Sequence, residues 1–274
     1  MFGRSMCRIL GLALPMMFAG CGGVEPGDEP WDGAGDLVSI ETAAGLAAQP
    51  GGAAFGHLPA VVKLAAEPAE KEHPAPLAGK EQVLALCSGG ELITAEIRAI
   101  AEEEGVAFTL ELWFRLGALT DQPLARADRL VLQARGGELR AVIGETELRA
   151  GPIVAREWYH VAIVVDESSA QLFLYGAPRD SSRLPAPWPA LRGSFRFGGR
   201  DGGDAFCGEL ETIRLTRGAL YRTFFTPEQK LHMHCSMVFG YDFDDETGPT
   251  VQDAGPLHIN AKLEGEASLV AGAI

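Results

Sequence analysis

Residues 107–116 read Ala-Phe-Thr-Leu-Glu-Leu-Trp-Phe-Arg-Leu, and this stretch decides the fold class. Phe108, Leu110, Leu112 and Phe114 alternate with Thr109, Glu111, Trp113 and Arg115. Successive side chains of an extended strand point to opposite faces, so a period of two puts each set on its own face. The same texture recurs on both sides of it. Arg129 to Ala134, Glu138 to Ile143 and Thr146 to Ala150 are strand candidates separated by Gly136-Gly137 and Gly144. Glu157 to Val165 and Ala170 to Tyr175 flank Asp166-Glu167-Ser168-Ser169, whose side chains favour a tight turn. Ser194 to Phe197, Cys207 to Thr216 and Met237 to Phe243 follow, and only Thr94 to Glu104 and Thr226 to His232 suit brief helices. Many short strands with Gly, Pro and Asp between them predict an all-β fold, an antiparallel two-sheet sandwich of jelly-roll type, over residues 82–274. That length is enough for one substantial core.

The chain before residue 82 has a different composition. Arg4 and Arg8 precede an apolar run, Ile9 to Gly20, that is too short to span a bilayer. Ala19-Gly20-Cys21 follows directly and resembles the lipobox of bacterial lipoproteins, although Phe18 stands where leucine is usual. The resemblance implies a lipoprotein signal peptide over 1–20 and acylation of Cys21. Two or more acyl chains give stable membrane attachment. Gly22 rather than aspartate after the cysteine points to the outer membrane or cell surface, with the periplasmic face left open. Residues 21–81 are rich in Gly, Ala, Pro and Glu and are expected to form a disordered tether, since they offer too little apolar surface to offset ordering entropy.

The formal charge of −14 becomes −16 once Arg4 and Arg8 are removed. So acidic a chain is repelled by phosphate backbones, which argues against nucleic acid as a partner and leaves the lipid as the membrane contact. Of five cysteines, Cys87, Cys207 and Cys235 remain after processing, and outside the cytoplasm one pair of them can persist as a disulfide.

Four motifs connect the strands to a known family. Phe108-Thr109-Leu110-Glu111-Leu112-Trp113, Glu157-Trp158-Tyr159-His160-Val161-Ala162, Gln171-Leu172-Phe173-Leu174-Tyr175-Gly176 and Phe206-Cys207-Gly208-Glu209-Leu210-Glu211-Thr212-Ile213-Arg214 occur in order. They resemble the strand signatures of laminin G-like jelly rolls in the concanavalin A-like lectin/glucanase superfamily. Leu220 to Pro227, Phe239 to Gly248 and Val251 to Gly255 are similar to tail motifs of one subgroup. The resemblance implies added C-terminal strands and a binding or structural module of the cell envelope, with a glycan or an extracellular or envelope protein as partner. It also implies that the opening and closing strands are neighbours, which favours Cys87 with Cys207. Cys207 with Cys235, or three thiols, are the alternatives.

An enzyme is the other reading, because the superfamily includes glycoside hydrolases. Their mechanism needs two carboxylates at fixed separation, commonly from an E-x-D motif on one strand. This chain has no E-x-D, and its nearest strand-borne pair, Glu209 and Glu211, falls on a structural motif. No catalytic residue is therefore assigned, and a divergent glycoside hydrolase or lyase stays the alternative. Trp113, Trp158 and His160 fit packing positions. Trp188, between Pro187 and Pro189, is the candidate for an exposed ligand contact. Asp201 and Asp204 in a Gly-rich turn are the candidate ligands for calcium, a hard cation suited by carboxylates on flexible loops. His232-Met233-His234-Cys235 lacks a second cluster of metal ligands and reads as a linker.

Overall fold

The computed structural model describes residues 82–98, 105–185, 188, 191–232 and 235–272. The signal segment 1–20, Cys21 and the tether 21–81 lie outside the described residues. The described strands are, in chain order, β1 (Gln82–Leu86), β2 (Glu91–Thr94), β3 (Phe108–Leu116), β4 (Gln122–Ala127), β5 (Leu130–Arg135), β6 (Glu138–Ile143), β7 (Thr146–Pro152) and β8 (Trp158–Val165). They continue with β9 (Ser169–Leu174), β10 (Ala177–Arg183), β11 (Arg196–Gly198), β12 (Gly208–Arg217), β13 (Met237–Tyr241), β14 (Thr250–Val251), β15 (Ala261–Glu264) and β16 (Ala267–Ala271).

Two antiparallel sheets form a sandwich. The first runs β10-β9-β8-β3-β12-β1-β16, with β13 also paired to β12. The second runs β14-β15-β2-β11-β4-β5-β6-β7. The alternation seen in the sequence becomes continuous apolar rows across strands. Phe239, Leu215, Leu110, Ile163 and Leu172 are register neighbours in the first sheet. Leu92, Phe197, Ala125, Leu132, Ala141 and Leu148 form the matching row in the second. All eleven join one buried cluster between the sheets, where each large apolar side chain contributes roughly 1.5–3 kcal/mol. The Asp166 turn forms as its composition predicts. Its carboxylate accepts hydrogen bonds from the Ser168 and Ser169 amides at 2.9 and 2.7 Å, and these hold its pKa below the usual aspartate value.

Two sequence expectations are corrected. Residues 226–232 are irregular rather than helical, because this segment is pinned across the first sheet instead of bonding to itself. The helix expected from Thr94 does not start there, since Thr94 ends β2 and residues 95–98 are irregular; residues 99–104 lie outside the described set. The tail does add strands. β13 pairs β12, β16 pairs β1, and β15 pairs β2 in the opposite sheet. Asp253 fastens the tail by accepting from the amides of Gly240 and Gly255 through one oxygen and of Ile259 through the other, at 2.7–2.8 Å.

Candidate functional site

The outer face of the first sheet carries the polar half of the 107–116 alternation, and it is divided in two. Over Thr109, Glu111 and Trp113 lies the segment 218–231. Thr109 donates its hydroxyl to the Gly218 carbonyl at 2.8 Å and accepts from the Leu220 amide at 3.0 Å. Trp113 donates its indole N–H to the Glu228 carbonyl at 2.9 Å. The Phe225 amide donates to Gly176 at 3.1 Å, where any Cβ would meet the Phe225 carbonyl at 1.8 Å, so glycine is required there. Tyr221 and Phe225 stack at 3.5 Å and cover Ala162, Val164 and Phe173.

Beneath this strap, Arg214 donates to Glu111 from Nε at 3.1 Å and from a terminal nitrogen at 2.5 Å. Its other terminal nitrogen reaches Glu228 at 2.8 Å. His160 Nε2 stands 3.9 Å from Glu111, and its ring lies edge-on to Trp113. Burial alone would raise the Glu111 pKa, but His160 and Arg214 together hold it below the usual carboxylate value. Burial, aided by the Glu111 charge, pushes the Tyr221 hydroxyl upward. The group is buried and its charges are paired, with Glu111 Oε2 and His160 Nδ1 left without a hydrogen-bond partner among the described residues. The space beside it is about 10 Å³, too small for a ligand.

The other half is open. Arg115 is the register partner of both Trp158 and Glu209, Glu209 of Ala85, and Ala85 of Ser268. One row across four strand gaps therefore runs from three large side chains to two small ones, and the drop in size leaves a depression. The Cys87–Cys207 disulfide lines it. The β1–β12 register that pairs Leu86 with Gly208 puts the two cysteines next in line, as the family resemblance implies. Glycine is required at Gly208 in the lining, because a Cβ there would run into the Arg115 carbonyl of the neighbouring strand. The resulting cavity holds about 740 Å³. Arg115 Nε donates to Glu209 at 2.7 Å, and its guanidinium lies 5.1 Å from the half-buried Trp158 ring. Arg156 forms one lip and Glu266 another.

The residues singled out from the sequence are scattered around this picture. Trp188 is corrected: it is 3% exposed, with its ring 5.4 Å from Phe108. Flanking prolines constrain the backbone but not the direction of the indole, and so large an apolar surface is drawn inward. Asp201 and Asp204 are exposed on a turn closed by the Arg200–Ala205 bridge. Among the described residues no group of three or more His, Cys, Asp or Glu side chains is gathered to hold a metal. Cys235 is exposed and outside any disulfide. Glu209 lines the cavity, whereas Glu211 is buried in a bulge where it and Thr212 together oppose Trp113. The two glutamates thus do not face a common space. Arg156 was not marked by the sequence, and Trp158 was read only as packing.

A family model matches residues 93–223, under the description concanavalin A-like lectin/glucanases superfamily and the family label laminin G. The sandwich is laminin G-like. Within that family match lie Arg115, Arg156, Trp158 and Glu209; the β1 and β16 walls of the cavity lie outside it. A candidate carbohydrate-binding protein from Bacteroides ovatus has a similar fold, with a TM-score of 0.55 at 16% identity. The match covers 71% of this chain and 61% of that one, so this chain spans under two thirds of its length. A SAP-like pentraxin from Limulus polyphemus is similar at a TM-score of 0.41 and 13% identity, over 52% of this chain and 78% of that one. Domain 4 of an extracellular arabinanase from Geobacillus stearothermophilus, in complex with arabinotriose, gives 0.36 and 18% over 44% and 65%. No curated protein matches the chain.

Proposed function

We propose that the laminin G-like sandwich is a glycan-binding module of the cell envelope, carried by a lipid on Cys21, and that the cavity beside Trp158 is its site. The observation that carries this is the open 740 Å³ hollow bordered by Arg115, Glu209 and the Cys87–Cys207 disulfide. Sugars present apolar C–H faces and a fringe of hydroxyls. An indole edge or face takes the first, and a carboxylate with an adjacent guanidinium takes the second in fixed geometry. The volume lies in the range of small-ligand sites, about 300–1,000 Å³. The fold shared with the Bacteroides ovatus protein supports the same class of ligand, although one fold hosts many functions.

The test is a glycan array on the full chain, beside an assay for released reducing ends. A bound glycan that is lost in Trp158→Ala and Glu209→Gln is the expected result. Capture of an envelope protein with no glycan bound would replace the ligand class. Polysaccharide cleavage that persists in the Glu209→Gln, Glu211→Gln double variant would make the chain an enzyme with catalytic groups elsewhere. For the anchor, Cys21→Ser should leave the protein in the soluble fraction, and palmitate labelling equal to that of the wild type would count against acylation at this cysteine.

A further inference from the structure

Arg156 is one of five described non-glycine residues with a positive φ, and the one among them that lines the cavity. Its φ is +69°, in the left-handed region where L residues pay about 1–2 kcal/mol and glycine sits without strain. Non-glycine residues held in this region cluster at functional sites. The position is fixed rather than loose, because the Arg156 amide donates to the Leu116 carbonyl at 2.7 Å, at the end of β3. The side chain is rooted on the cavity lip, exposed, and makes no ion pair with any described residue. Arg115, the other guanidinium of the cavity, is already neutralised by Glu209.

We infer that the ligand of this cavity is an acidic sugar, and that the Arg156 guanidinium receives its carboxylate or sulfate. A planar guanidinium matches either oxyanion through two parallel N–H bonds. The Glu209–Arg115 pair then faces the neutral hydroxyls of the same ligand. Glu266 fixes the orientation. It adjoins β16 and Arg156 closely precedes β8, four strand gaps away by way of β1, β12 and β3, so roughly 19 Å separates the two ends at about 4.8 Å per gap. The acidic group therefore belongs at the Arg156 end, and the neutral part of the sugar chain at the Glu266 end. This inference rests on the glycan reading and adds the charge of the ligand to it.

Arg156→Gly is the informative variant, because glycine relieves the left-handed strain and the fold should keep its Tm within a few degrees. Titrations of the full chain would use galacturonate oligomers, a sulfated galactan and a neutral galactan, each at low and high salt. The expected result is that at least one acidic probe binds more tightly than the neutral one, that salt weakens it, and that Arg156→Gly lowers its affinity at least tenfold and by more than it lowers neutral binding. Carboxylate and sulfate are told apart by which of the two acidic probes binds. Acidic and neutral probes binding alike, with no effect of Arg156→Gly, would overturn the inference while leaving glycan binding intact. No binding of any sugar on a full array would overturn both.

Discussion

Trp113, Glu111 and Arg214 at one end of the first sheet's outer face, and Trp158, Glu209 and Arg115 at the other, are the same three side-chain types, the first trio on β3 and β12 and the second on β8, β12 and β3. At the first end the strap seals them: Glu111 and Arg214 have side chains only 7% and 4% exposed, and the indole N–H is bonded to the strap. At the second end the pair is about a quarter exposed on each side and borders an open cavity. The chemistry of the residues is equal, so what separates a structural cluster from a candidate binding site is coverage. In a dry site the charges must satisfy each other; in a wet one they remain available to a ligand.

That contrast can be broken most severely from the covered end. Glu111→Ala leaves the Arg214 charge buried beside only Glu228, and removal of one partner of a buried pair costs about 3–5 kcal/mol. Urea denaturation of the variant should show a correspondingly lower midpoint with an unchanged slope. The pH dependence carries the same signature. The folded Glu111 pKa lies below its unfolded value of 4.5, so its contribution is present above pH 4.5 and is lost as pH falls through the lower folded value. Glu111→Gln should flatten that part of the acid limb, and an acid limb unchanged in slope would show that other carboxylates govern it.

The cavity lining comes next in size. Reduction, or Cys87→Ser with Cys207→Ser, opens a closure spanning 120 residues, and native bridges of this kind are worth roughly 2–4 kcal/mol. Differential scanning calorimetry with and without reductant measures the loss, which should vanish in the double variant. The smallest effect belongs to the open end. Glu209→Ala removes a partly exposed ion pair and should lower stability by only about 0–1 kcal/mol while abolishing ligand binding. A loss of several kcal/mol there would mean that the open end is structural too.

Much of this architecture is legible in order along the chain. The alternation in 107–116 sorts Leu110 and Leu112 inward, and the Asp166 turn has the residues its hydrogen bonds need. The cysteine pairing follows from family position, not from spacing, because three thiols at 87, 207 and 235 allow any pair. Trp188 shows where local reading stops. Its neighbours describe a loop, but its burial is decided by Phe108, 80 positions away in the chain. Residues 226–232 fail as a helix for the same reason, since Trp113 and Arg214 bond to the segment from the sheet below. Arg156 is hidden more deeply. Nothing in Val-Ala-Arg-Glu-Trp announces a left-handed residue, because the strain arises from a turn whose end is fixed by Leu116.

Gln82 and Ala271 are register partners, so both ends of the described sandwich leave it at one corner. Tension applied between them would part β1 from β16 in the manner of a zipper, one pair at a time, which is a weak direction for a sheet. The tear meets Cys87 one residue after β1 ends. Beyond that point the covalent link to Cys207 carries the load past the intervening chain, and its 120-residue separation never contributes to the extension. At about 3.3–3.6 Å per residue, an oxidised molecule would stretch roughly 400 Å less than a reduced one. The disulfide thus acts as a mechanical stop, confining yield to the terminal strands while the cavity's Arg115, Arg156 and Glu209 stay within the protected loop or at its edge.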